Sequence, residues 1–128
     1  MTLRRCSNHK ELVVWQKSLA LAVDIHAATA GFPRSEQFGL VAQMRRAAVS
    51  VPSNIAEGSA RRTTRDFAAF LHIARGSLSE LETQMIVAQR VGYLGATASQ
   101  ALVVQSDEVG RMLTALIAAL RRRIAASS

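Results

Sequence analysis

One cysteine in 128 residues, Cys6, leaves no partner for an intrachain disulfide and removes the disulfide-stapled secreted class. Long apolar runs are missing too. No stretch reaches the ~18 residues of a membrane span, and the opening Met-Thr-Leu-Arg-Arg-Cys leads into polar sequence rather than a signal-type apolar core. A cytoplasmic protein without membrane contact is expected. Aromatic residues make up only 5% and fall mainly on apolar stripes, which leaves little for base stacking. His9, His26 and His72 are too dispersed for a metal site. Glu80 and Glu82, two positions apart, turn to different sides of a helix and form no catalytic carboxylate pair. Ser59 and Ser77 follow glycines but belong to no strand-to-helix nucleophile elbow, and there is no phosphate-cradling glycine loop. Enzyme activity, cofactor and metal are therefore not expected.

Abundant alanine and leucine within a composition that is 49% hydrophobic point to helices packed through aliphatic side chains. The second positive signal is charge. Sixteen Lys+Arg against nine Asp+Glu give +7, and fourteen of the sixteen are arginine, whose flat, permanently charged fork suits phosphate and carboxylate. This allows two readings, a polyanionic partner or a basic surface that keeps an oligomer soluble.

Four segments carry helical periodicity. Leu12, Trp15, Leu19, Ala22 and His26 line one stripe of a helix over residues 10–28, stopped by Gly31-Phe-Pro33. Ser35 is the candidate N-cap of the next, with Phe32 stapling its entry; Phe38, Val41, Met44, Ala48, Val51 and Ile55 line it until Gly58 offers a left-handed stop. Thr63 and Asp66 form a capping box ahead of the strongest heptad, Phe67, Leu71, Ala74, Leu78, Leu81, Met85 and Ala88, which predicts a helix over 64–90 ended by Gly92. Leu102, Val109, Leu113, Leu116, Leu120 and Ile124 line a fourth over 97–125. Short connections between long helices predict an all-α, antiparallel, up-down-up-down four-helix bundle over 10–126, with 1–9 as a flexible N-terminal segment.

Pro52 interrupts the second pattern. Inside a helix it removes a backbone hydrogen bond and presses on the carbonyl of Ala48, costing ~3 kcal/mol, so a kink is expected there, covered by Ser50, Ser53 and Asn54; the alternative is a break with Ser50 capping a new helix. Gly76, in mid-helix, is expected to admit a close neighbour. Second apolar stripes, Phe70, Ile73 and Val87 on the third helix and Val13, Val23 and Ile25 on the first, exceed what one interior can hold and predict a homo-oligomer. Arg45, Glu57, Glu80 and Gln84 are the candidate structural polar network near the kink.

Arginines cluster as Arg4-Arg5, Arg45-Arg46, Arg61-Arg62 with Arg65, and Arg121 to Arg123. Arg61, Arg62 and Arg65 flank a helix N-terminus, where exposed N–H groups add positive potential, and with Arg46 they are the candidate nucleic-acid contacts. Binding would be directed at the RNA or DNA backbone, sensitive to salt and low in sequence specificity. Arg121 to Arg123 read as a solvated cap that complements a helix C-terminus. The competing reading is a protein–protein scaffold that meets an acidic partner.

Leu12-Val-Val-Trp15-Gln-Lys17, Gln43-Met-Arg-Arg-Ala-Ala48, Ser53-Asn-Ile-Ala-Glu-Gly58 and Gly76-Ser-Leu-Ser-Glu-Leu-Glu82 resemble the bacterial four-helix-bundle proteins encoded within intervening sequences of large-subunit ribosomal RNA genes. The resemblance covers residues 11–120. That grouping includes the accessory variability determinant of diversity-generating retroelements. It implies an antiparallel four-helix protomer, a ring-like homopentamer and no enzyme activity, with some relatives binding nucleic acid and a reverse transcriptase through basic surfaces. The fourth helix departs from the family pattern, beginning Gly95-Ala-Thr-Ala-Ser99 and ending rich in arginine.

Overall fold

The computed structural model describes residues 8–127 and holds four long helices, with no strand among those residues. Cys6, Arg4, Arg5 and most of the expected flexible segment lie outside them. Within the described part, Asn8 accepts a hydrogen bond from the Lys10 N–H and starts a 3-10 turn, His9–Glu11, whose His9 ring meets Trp15 edge-on at 5.0 Å. Then follow α1 (Val13–Thr29), a second 3-10 turn (Arg34–Glu36), α2 (Leu40–Ser59), α3 (Thr64–Arg90) and α4 (Ala96–Ala126). α2 packs most extensively on α3; α3 also packs on α4, and α1 on both α2 and α4. Every helix lends side chains to one apolar core, in which Ile25, Met44, Ile55, Leu71, Val109 and Leu113 are fully enclosed.

α3 begins and ends where its local signals predict. The Thr63 hydroxyl accepts from the Asp66 N–H at 3.1 Å and caps the first turn. At the other end Gly92 takes φ +89°, the Gly92 N–H reaches the Gln89 carbonyl and the Tyr93 N–H reaches that of Ala88, which is a Schellman closure. α2 runs unbroken through the buried Pro52, so the two-helix alternative is set aside. The neighbouring turn is stitched by side chains: Asn54 Nδ2 donates to the Ser50 carbonyl at 2.8 Å and to its hydroxyl at 3.0 Å, and that hydroxyl pairs with Ser77 of α3 at 2.8 Å.

Several expectations need correction. On α1 the buried stripe is Val14, Ser18, Leu21, Ala22, Ile25 and Thr29; of the predicted stripe only Ala22 is buried, while Leu19 and His26 are exposed. The seam lies one residue earlier, a rotation of about 100°. Two hydroxyls disguise it, because Ser18 and Thr29 satisfy themselves on the carbonyls of Trp15 and Ile25 and so tolerate burial. Ile25, assigned to a surplus stripe, is core. Ser35 sits inside the 3-10 turn, and α2 starts instead from Gly39 with no side-chain cap. Phe38 precedes that start and is 89% exposed. Gly58 is not a left-handed stop but a helical residue where α3 comes close: a Cβ there would lie 2.7 Å from the Phe70 Cβ and 3.0 Å from Phe67. At Gly76, expected to play that part, an added Cβ would meet nothing within 4 Å among the described residues.

Candidate nucleic-acid interface

The turn between α2 and α3 carries Arg61 and Arg62, with Arg65 in the first turn of α3. Arg61 is anchored on two sides. Its Nη2 lies 2.9 Å from Glu57 Oε1, and its guanidinium sits 4.7 Å above the Phe70 ring, so its fork is directed along the surface. Arg62 is exposed and has no carboxylate partner among the described residues. Arg46 stands apart, exposed on α2 and about 20 Å along the helix from the turn at ~1.5 Å per residue. The fold therefore brings together three of the four predicted contacts.

It also brings in arginines that adjacency along the chain does not point to. A groove at this end is bounded by Thr63, Thr64, Arg65 and Asp66 on one side and Arg123 and Ser127 on the other. The next groove along the α3–α4 seam is lined by Arg65, Ala69, His72, Arg121 and Ala125, and a further one by Arg75, Glu82, Asp107 and Arg111. The three grooves lie along the α3–α4 furrow, and Arg65, Arg75, Arg111, Arg121 and Arg123 are among the residues that line them, with Asp66, Glu82 and Asp107. His72 lies midway and half-buried, its Nδ1 3.2 Å from Arg75 Nη2 and its Nε2 3.0 Å from Arg121 Nη2. Burial, then the charges of Arg121 and Arg75, hold its imidazole below the ordinary value. A signal for these residues exists in the heptads. His72, Arg75 and Arg121 each follow a buried seam residue, Leu71, Ala74 and Leu120, and such flank positions meet across two neighbouring helices.

The four candidate network residues separate into local pairs. Arg45 Nε donates to the Thr29 hydroxyl at 2.9 Å and its Nη2 to the His26 carbonyl at 3.2 Å, tying α2 to the last turn of α1. Glu57 is held by Arg61, and Glu80 accepts from Gln84 Nε2 at 3.3 Å. No hydrogen bond or ion pair joins Arg45 to Glu80 among the described residues, because Arg45 turns toward α1 while Glu80 is on the outer side of α3. Gln84 is 8% exposed, and its Oε1 finds no hydrogen-bond partner among the described residues.

The surroundings of the α1–α2 and α3–α4 connections are differently built. The Tyr93 hydroxyl donates to Glu36 Oε2 at 3.0 Å, its ring tilts against buried Phe32 at 5.5 Å, and Leu94 is buried beside it. The hydrogen bond to Glu36 holds the Tyr93 phenol above its ordinary value, with desolvation adding to the effect. No group of three or more His, Cys, Asp or Glu side chains converges on a potential metal position among the described residues, and no described helix is long and apolar enough to cross a membrane.

The family model of the 23S rRNA-intervening sequence protein matches residues 10–115. Among solved structures, the chain is similar to a Bacteroides thetaiotaomicron protein described as having unknown function and as coming from the S23 ribosomal protein family. The two are 26% identical with a TM-score of 0.75, over 82% of this chain and 98% of that one. Among curated proteins none matches significantly.

Proposed function

Because the chain belongs to the 23S rRNA-intervening sequence protein family, we propose that it is a non-enzymatic, homo-oligomeric accessory protein that holds the phosphate backbone of RNA or DNA. The observation that carries this reading is the gathering of Arg61, Arg62 and Arg65 at one end, continued along the α3–α4 furrow by arginines in no ion pair among the described residues. Like charges drawn together repel, and a polyanion neutralises them while releasing its counterions. Arg46 is an outlying contact on the same protomer. The bundle is up-down-up-down with antiparallel neighbours. Lys17 pairing with Glu108 and Asp24 with Gln105 supports numbers rising along α1 as they fall along α4, and Ser50 with Ser77, and Gly58 with Phe70, support the same sense for α2 and α3.

The copies assemble through apolar surface that a single protomer leaves uncovered. Val13 and Val23 on α1 are 51% and 60% exposed, and Ile73 and Val87 on α3 are 52% and 45% exposed. A homopentamer, cytoplasmic placement and a reverse transcriptase as further partner complete the reading, following the family resemblance; a ring would repeat the arginine-rich end around its axis.

Fluorescence anisotropy with structured RNA and duplex DNA over a salt series tests the reading. Affinity that falls steeply with salt, and is lost when Arg46, Arg61, Arg62 and Arg65 are changed to Glu, is the expected result. No binding at low salt, with retention of an acidic protein partner instead, would favour a protein–protein scaffold.

A further inference from the structure

We propose that the middle of the α3–α4 furrow is a proton-coupled phosphate site: His72 takes a proton from solvent when a phosphate oxyanion settles among His72, Arg75 and Arg121. This rests on the nucleic-acid reading above and adds which phosphate contacts respond to pH.

The reason lies in donor and acceptor chemistry. A guanidinium has only donors, and a neutral imidazole has one donor and one acceptor nitrogen. Yet both ring nitrogens of His72 face arginine nitrogens, Nδ1 at 3.2 Å and Nε2 at 3.0 Å. Whichever nitrogen carries the hydrogen, one contact sets N–H against N–H, so a single hydrogen bond is made where two are poised. Protonating the ring alone worsens this, since it adds a third cation between two others. An oxyanion placed between the ring and the guanidiniums reverses both effects. It accepts from the ring N–H on its own side and from the guanidinium there, and its charge makes the imidazolium the favoured form.

The charged groups around the ring all point the same way. Arg65 and Arg75 share its helix, and Arg121 faces it from α4. Carboxylates line the adjoining grooves, Asp66 at the end of the bundle and Glu82 and Asp107 beyond Arg75. None is hydrogen-bonded to His72 among the described residues, so an added phosphate supplies the counter-charge the ring lacks. The depressed basicity of the free ring leaves room for a rise on binding.

Linkage fixes the sign. A ligand that raises the imidazole's proton affinity binds more tightly as pH falls; the gain is complete below the free ring's value and is lost as pH rises through the bound ring's value. A fluorescein-labelled RNA hairpin is titrated into the full chain between about pH 8 and pH 5 at constant ionic strength, with the His72 ring followed by NMR in parallel. Affinity is expected to rise about tenfold over that range, matching a roughly tenfold gain in the ring's proton affinity when phosphate is bound, and His72→Gln should flatten most of the rise. His72→Lys, charged at every pH, should bind at the alkaline end as tightly as the native chain does at the acid end.

Hairpin binding that is tight but no steeper in pH than that of the Gln variant overturns this inference and leaves the proposed function standing. An upward move of the His72 titration with inorganic phosphate, without hairpin binding, keeps the site as one for a free oxyanion and overturns the nucleic-acid reading. Neither hairpin binding nor such a move overturns both.

Discussion

The two ends of the bundle solve opposite problems. Where the α1–α2 and α3–α4 connections meet, specific contacts close the structure: the Tyr93 hydroxyl donates to Glu36, Phe32 covers the Tyr93 ring, and the Gly92 and Tyr93 N–H groups satisfy the Gln89 and Ala88 carbonyls, with Arg34 and Arg90 the charged groups there in no ion pair among the described residues. At the other end Arg61 alone is ion-paired among the described residues, and Arg62, Arg65, Arg121 and Arg123 are in no ion pair there. Matched groups stabilise the protomer by themselves. Gathered like charges do not; under the proposed function a polyanion neutralises them. One end is thus built for the fold and the other, under the proposed function, for a ligand.

The sharpest way to break the comparison is at the arginine end. Changing Arg61, Arg62 and Arg65 to Gln should lower RNA affinity by two or more orders of magnitude at low salt and reduce the slope of log affinity against log salt by about one per arginine, read by anisotropy. Changing Arg62 and Arg65 alone, which are in no ion pair among the described residues, should leave the urea midpoint unchanged or raised, since it removes repulsion.

Gly58→Ala comes next. Its Cβ would press on the Phe70 Cβ at 2.7 Å, which no rotamer change moves aside, and on the Phe67 ring at 3.0 Å. A loss of about 1–3 kcal/mol is expected in urea unfolding at fixed protein concentration. Gly76→Ala, in open space on the next helix, should instead gain about 1 kcal/mol from helix propensity. Equal effects of the two changes would show that the approach of α2 to α3 is not what Gly58 serves.

A double-mutant cycle should find Arg45 coupled to Thr29 by about 0.5–1.5 kcal/mol and uncoupled from Glu80. The smallest effect belongs to the matched end. Tyr93→Phe should lower stability slightly at neutral pH. Because the folded-state value of the phenol is raised, its contribution is full below the unfolded value and fades as pH rises through the folded one, so the native chain and the variant should converge in strongly alkaline solution. Parallel curves to the highest pH would show that the Glu36 bond is incidental.

Much of the architecture is legible in the sequence because its signals are local. Thr63 capping Asp66, and Gly92 turning left-handed after a clean heptad, delimit α3 without reference to any other part of the chain. The facing of α1 is illegible for an equally physical reason. Apolar side chains ring it almost completely, and the residues that break the true seam, Ser18 and Thr29, hide their hydroxyls on the helix's own carbonyls. The candidate site is legible in part: Arg61, Arg62 and Arg65 adjoin in sequence and in space, whereas Arg121 and Arg123 reach Arg65 only across the seam of another helix.

The order of residues by itself determined the helical class, the number of long helices, the extent of α3 and the excess of arginine, since each depends on spacing and chemistry within a few turns of chain. Tertiary structure alone decided which way α1 faces, that Gly58 rather than Gly76 is where helices touch, and that His72 stands between two guanidiniums. A helix's periodicity sets the angles between its own side chains, but its rotation against its neighbours, and hence which flanking charges meet, is settled only when the cores interlock.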